Sequence, residues 1–394
     1  MHSAGRSPIM RRMNQGLRRA AVGIPGFCAF LILYSPQSLL PMLSQEFGAT
    51  PADISLTMTA TALAIALTAP FAGAIADVLG RKRVIVAAMI LLAVPTFMIA
   101  LAPSLHALIF WRFAQGLVLP PIFTVVVAYI GEEWPPAEAT GVTGLYMAAI
   151  SVGGFSGRFF AGLLADTIGW RNGFITFAAV TFACGLAVAV ILPKERNFVR
   201  SEGLASSARQ MLGHLRNPRL LAIYAIGFGT LFNFVAMFTY VNFLLAAPPF
   251  NLSATLLGAI FVTYLAGGFA VLWLGRAVAR FGRRTLILAI IVVWMCGALL
   301  TLVPSLWAIV AGLAIVAACG FFTQATSTAF VALTAESGRT SAIGLYATSF
   351  YVGGGVGAVL PGLTWNTLGW PAAVAMVVAM QTLMAIVIWF GWKR

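Results

Sequence analysis

The sequence predicts an all-α membrane protein, with 12 transmembrane helices in two pseudo-symmetric six-helix bundles. Three observations carry this expectation. Of 394 residues, 61% are hydrophobic and only 9% are charged, whereas a soluble domain carries about 25% charged residues. Twelve apolar runs reach the roughly 20 residues that a helix needs to cross a bilayer. The second half of the chain also repeats short motifs of the first at a nearly constant offset.

The elements follow in order, each bounded by Pro, Gly or charge. A basic tail, 1–19, precedes span one at 20–44, which contains Pro36 and Pro41. Span two, 53–78, opens after Pro51 and stops before Gly80, Arg81, Lys82 and Arg83. Span three, 83–102, ends at Pro103, and span four, 105–131, ends at Glu132 and Glu133. Span five, 138–166, follows Pro135 and Pro136, and span six, 170–192, runs from Trp170 to Pro193. The longest link, 193–218, separates this first bundle (20–192) from the second (219–394). Spans seven to twelve are read at 219–246, 252–279, 284–302, 305–333, 340–366 and 370–391.

Charge sets the expected orientation. The net charge of +14 comes from 24 Lys and Arg against 10 Asp and Glu. A basic chain first suggests nucleic acid, but no water-facing domain remains to carry a binding face. With both termini inside, 21 of the 24 basic residues fall on the cytoplasmic side, as the positive-inside rule requires. Arg171 alone falls in an outer loop, and Arg112 and Arg158 fall within spans. The expected location is therefore a bacterial inner membrane, with the N- and C-termini cytoplasmic. The four cysteines lie in spans without metal-ligand spacing, so neither a metal nor a cofactor is expected.

The duplication is visible by eye. Gly144, Leu145 and Tyr146 recur as Gly344, Leu345 and Tyr346, and Val152, Gly153 and Gly154 recur as Val352, Gly353 and Gly354. Gly157, Gly162, Gly169 and Trp170 match Gly357, Gly362, Gly369 and Trp370, while Gly80 and Arg81 match Gly282 and Arg283. Parallel halves of this kind are the plan of a large transporter class, with the substrate site between them.

Three motifs then resemble the major facilitator superfamily, over nearly the whole chain after the basic tail. The first joins spans two and three: Gly73, Asp77, Gly80, Arg81, Lys82 and Arg83, with Val78 where a basic residue is usual. Its counterpart keeps Arg280, Gly282 and Arg283 but has Ala279 in place of the acid. Asp77 is placed to accept from helix N-terminal amides, and the resemblance implies a conformational latch between the halves. The second motif is Arg112, Gln115 and Gly116 in span four. It is similar to a family element whose Arg is implicated in proton coupling. Arg112 sits roughly 10 Å inside the outer end at 1.5 Å per residue, where it either snorkels or faces a pathway. The third runs from Gly153 to Gly162 in span five and resembles the family's antiporter motif, with Arg158 where Pro is usual and Ala161 replacing Gly. Arg158 lies at a similar depth, sharing a face with Gly154 and Ser151. It is either an interhelical partner of carbonyls or Asp166, or part of the site. Asp166 and Arg171 bracket the outer turn and can pair.

The resemblance implies a cavity lined by spans one, four, seven and ten. Polar candidates there are Tyr34, Gln37, Gln115, Asn233, Tyr240 and Gln324, with Arg112 and Arg158. None of the ten acids falls in mid-span, so the candidates for a proton carrier are Asp53, Asp77, Asp166 or an indirect role of Arg112. The expectation is a monomeric secondary transporter, not an enzyme. It works by alternating access and exports a small organic solute with a coupling proton, surrounded by lipid and without nucleic acid. It resembles the twelve-span drug and sugar efflux branch, a drug:proton antiporter group. One alternative is a carrier for an organic anion using Arg112 and Arg158. Another, of a different class, is a non-transporting membrane receptor.

Overall fold

Apolar runs of this length have one way to hide their backbone in lipid, which is to bond it internally as helix. The computed structural model of the chain describes residues 8–195, 211–271, 274–335 and 338–392. Arg6, Arg196, Arg200, Arg209, Lys393 and Arg394 of the expected tail, linker and C-terminus lie outside the described residues. Eleven described helices are long and apolar enough to cross a membrane. The eighth span is made of Ala254–Ala259, a 3-10 turn at Ile260–Thr263, Tyr264–Val271 and Leu274–Phe281. Large apolar side chains such as Leu67, Phe110, Val190, Trp307 and Phe390 stand exposed around the bundle, which suits an apolar solvent. The protein is a multi-pass membrane protein.

Prolines explain where the spans depart from straight helices. Span one runs as Pro8–Tyr34, a 3-10 turn at Ser35–Leu39 and Leu40–Glu46. Pro36 has no N–H, so the carbonyl of Ile32 loses its normal partner four residues on. Span eleven was expected to run to 366, but its helix, Arg339–Val359, stops before Pro361 for the same reason. The segment from Gly362 continues to Gly369, where φ 60 and ψ −148 mark a kink before span twelve proper.

The duplication holds in three dimensions. A methyl added at Gly26 would run into the ring of Tyr146, and one at Gly227 into the ring of Tyr346. Gly153 and Gly157 press on the backbone of Phe27 and Leu31, as Gly353 and Gly357 press on Phe228 and Phe232. Small residues thus bring spans one and five together, and spans seven and eleven likewise, by one device. Gly80 and Gly282 both turn the chain at positive φ, 93 and 73.

The halves meet along two seams. In one, span two lies against span eleven: Thr59 donates to Gly355 O at 2.7 Å and Thr348 to Ala66 O at 3.0 Å. In the other, span five meets the start of span eight. There Gly162 lies against the backbone of Ala254, and Gly258 against the carbonyl of Arg158. Thr255 donates through N and Oγ1 to Asp166, at 2.8 and 2.6 Å. All of these span-five contacts lie at the end opposite the termini.

Candidate functional site

Arg112 is fully buried and makes a brace inside the first half. Its Nε donates to Thr57 O at 3.3 Å. Nη1 donates to Ile32 O at 3.4 Å and to Gln115 Oε1 at 2.6 Å. Nη2 donates to Leu33 O at 2.7 Å and faces Met58 Sδ at 3.9 Å. A guanidinium has five N–H donors, and each has a partner here. The acceptors exist because the chain breaks beneath them: Pro36 strands the Ile32 carbonyl, and the 3-10 turn loosens that of Leu33. Gln115 extends the chain by donating to Thr96 Oγ1 at 2.9 Å. Gly116 lets span four approach the backbone of Thr61, whose hydroxyl donates to Arg112 O at 3.0 Å. Arg112 therefore does not snorkel; it ties spans one, two and four together.

Arg158, 2% exposed, stands at the seam between the halves. Nε donates to Gln37 Oε1 at 2.8 Å and Nη1 to Gly154 O at 2.7 Å, one turn back on its own helix. Gln37 Nε2 in turn donates to Thr239 Oγ1 of span seven at 3.1 Å. Three rings surround the guanidinium carbon: Tyr34 at 4.2 Å, Phe261 at 4.4 Å and Tyr264 at 4.9 Å. Tyr34 belongs to the first half and the other two to span eight. Cation–π contacts of this kind gain strength when desolvated. Tyr264 is backed edge-on by Phe238 at 4.6 Å and by Phe321 at 5.4 Å, so the second half offers a firm aromatic wall.

Beside Tyr34 a cavity of about 10 Å³ is lined by Leu33, Met58, Ala62, Leu231, Val235, Tyr351 and Gly354. It holds a single water at most. Of the predicted residues, Tyr34, Gln37 and Arg158 come together, and Arg112 and Gln115 form a separate cluster. Asn233 instead donates to Met384 Sδ on span twelve at 3.3 Å, and Tyr240 donates to Ala358 O at 2.6 Å. The hydrogen bonds of both clusters leave Gln324 aside. Thr239, Phe261 and Tyr264 were not singled out from sequence. The last two share a helix face three residues apart, but nothing local says that an arginine from the other half lies against them.

At the terminus-bearing end, Arg81 pairs with Asp77 at 2.5 Å and with Glu132 at 2.7 Å, and reaches Gly73 O at 3.4 Å. Asp77 thus meets a guanidinium rather than the helix amides expected for it. The amide of Lys82 donates instead to Glu195, at 3.4 Å. These contacts all lie within the first half and the start of the link. In the second half Arg283 lies over Phe330 at 4.3 Å and Arg280 over Phe281 at 5.3 Å. The expected Asp166–Arg171 pair does not form. Arg171 and Trp170 both bond Glu46, because Asp166 is taken by Thr255 across the seam. Asp53 closes a capping box with Thr50.

Comparison with known proteins agrees with this architecture. The profile of the Major Facilitator Superfamily matches residues 23–247 and 226–394. The inner membrane transport protein YnfM of Escherichia coli is 31% identical over 366 residues, 92% of this chain and 87% of its own length. The MFS-type transporter YybF of Bacillus subtilis is 29% identical over 386 residues, 98% of this chain and 94% of its own. Among solved structures, the nucleoside transporter NupG matches with a TM-score of 0.75 at 15% identity, over 95% of this chain and 99% of its own. A bacterial homolog of the human lysosomal transporter Spinster, inward-facing and occupied, matches with a TM-score of 0.72 at 15% identity, over 98% and 96%. These relatives are named as transporters, which leaves the receptor alternative without support. Two matched halves, twelve span positions and a relative above 30% identity over most of the chain lead to one conclusion: this protein belongs to the Major Facilitator Superfamily, a family of membrane transporters and not of enzymes.

Proposed function

We propose that the chain is a secondary active transporter working by alternating access, and that it exports a small organic solute with a coupling proton. One observation carries the reading. Gly144 and Gly162 lie 18 residues apart, five full turns, and so share one face of span five. At Gly162 that face is pressed onto Ala254 of the other half, whereas at Gly144 an added methyl would meet nothing. The span-five seam is thus closed at one end and uncovered toward the other, as a carrier with one gate shut requires. The positive-inside rule puts the uncovered end in the cytoplasm of a bacterial inner membrane, and an inward-facing Spinster homolog is a structural neighbour.

The two bundles, 20–192 and 219–394, are the rocking bodies, joined by the linker 193–218. Gly73, Asp77, Gly80 and Arg81, with Arg280, Gly282 and Arg283, act as the inner latch, disengaged in this state. Asp166 supports proton coupling, because protonation would remove the carboxylate that Thr255 bonds across the seam. The protein works as a monomer. Pulsed electron resonance between labels at 144 and 265, and at 163 and 252, tests the cycle. The inner distance should shorten as the outer one lengthens, and distances that never exchange overturn it. Proteoliposomes under an imposed proton gradient test the coupling; if no solute moves outward against its gradient, coupled export fails.

A further inference from the structure

We infer that Arg158 anchors a small organic carboxylate at the seam between the halves. The inference rests on the transporter reading and names the substrate class for it. A guanidinium taken out of water without a counter-charge costs several kcal/mol even after relaxation. Arg112 meets that cost with a partner for each of its five donors. Arg158 does not: Nε and one Nη1 hydrogen are used, and among the described residues nothing accepts from the second Nη1 hydrogen or from Nη2. The aromatic rings cover its faces but take none of the in-plane hydrogens.

The acids of the outer end are committed elsewhere. Glu46 holds Trp170 and Arg171, Asp53 caps its own helix, and Asp166 binds Thr255. What the site lacks is an acceptor that is planar, anionic and two-pronged. A carboxylate answers each requirement, since it pairs edge-on with two parallel N–H groups and fits between rings. A cation would meet an uncompensated positive charge, and a neutral solute would leave that charge standing. The hydroxyls of Tyr34, Tyr264 and Tyr351 have no hydrogen-bond partner among the described residues and can hold the rest of the solute.

The fold itself has no need of this charge. The equivalent position in the second half is Ala358, next to Gly357, which packs on Phe232 as Gly157 packs on Leu31. Helices one and five, and seven and eleven, therefore meet in the same way with or without an arginine. The cage also draws Tyr34, Gln37 and Arg158 from one half and Phe261 and Tyr264 from the other. An anion on the free edge of Arg158 thus sits where the two bodies separate. The 10 Å³ cavity shows that this conformation is collapsed around the site, so the solute enters as the rings part.

The test uses the full chain in nanodiscs, titrated with benzoate and hexanoate beside benzamide and hexanamide, read by calorimetry. Both acids should bind and neither amide should. Arg158→Gln should weaken acid binding about a hundredfold, Arg158→Lys should keep part of it, and Arg112→Lys is not used because it disturbs the brace. If Arg158→Gln gives no folded chain, Gln37→Leu takes its place; freeing Nε should change acid affinity and leave the amides unbound. Acids and amides binding alike, no acid binding to the native chain, or unchanged acid binding in Arg158→Gln or Gln37→Leu overturns the assignment. The label distances separate the two readings. Halves that exchange with no preference for acids overturn the carboxylate alone, whereas acid binding to halves that never move overturns transport.

Discussion

Arg112 and Arg158 lie at similar depth on spans four and five, both without a carboxylate, yet their surroundings differ in kind. Arg112 is wrapped by carbonyls of its own half and has a partner for every donor. Arg158 touches both halves, is lined by rings, and keeps donors in hand. A saturated arginine is a structural strut, because moving it breaks several charge-assisted hydrogen bonds at once. An unsaturated one at a movable seam is where a solute can be recognised and its arrival felt by both bodies. Buried charge therefore does not by itself distinguish structure from function; the count of satisfied donors does.

The comparison can be broken most sharply at Arg112. Arg112→Gln should destabilise the chain by about 3 kcal/mol or more, since it strands the carbonyls of Ile32, Leu33 and Thr57 in an apolar interior. Arg112→Lys should not restore it, because three donors on a point charge cannot reproduce the fork. Thermal unfolding in detergent measures both. A melting temperature unchanged in Arg112→Gln would remove the strut.

Next in size is the contrast along one face of span five. Gly162→Val should force the seam apart or cost about 1–3 kcal/mol through overpacking against Ala254. Gly144→Val, on the same face five turns away, should change stability by less than about 0.5 kcal/mol. Label distances at the outer end should lengthen for the first variant only. Equal behaviour of the two would mean that the face is not opened toward the terminus-bearing end.

Arg158→Gln should stay within about 1 kcal/mol of the native chain, because only two hydrogen bonds and the ring contacts are lost. If it instead unfolds the protein as Arg112→Gln does, the two arginines are alike and the distinction falls. Smallest is Asp166→Asn, which keeps one weaker acceptor for Thr255 at an exposed rim. It should loosen the closed seam by about 0.5 kcal/mol, seen as faster hydrogen exchange at residues 255–257 with no change around Arg112.

Much of this was legible in the sequence. The spans, the repeat and the two arginines that escape the positive-inside pattern follow from local quantities, namely residue hydropathy, loop charge and short identities. The stranding of the Ile32 carbonyl by Pro36 is also local, since a missing N–H acts four residues back. The donor that would fill the vacancy is not local, because Arg112 lies on a different span. The Asp166–Arg171 pair failed for the same reason: neighbours across a turn were outcompeted by partners from spans one and eight. Span eleven was drawn too long because hydropathy does not register a proline break that lipid-facing residues continue past.

The sequence by itself determined the twelve-span duplicated architecture, its membrane setting and the two buried charges worth asking about. Partition into lipid and helix formation depend on composition over a few turns, which any window of sequence contains. Only the tertiary structure decided which charge is satisfied and which is not. That depends on five N–H vectors meeting, or failing to meet, acceptors from spans far apart in the chain. It also decided that Phe261 and Tyr264 face Arg158, and so that the two halves share one site.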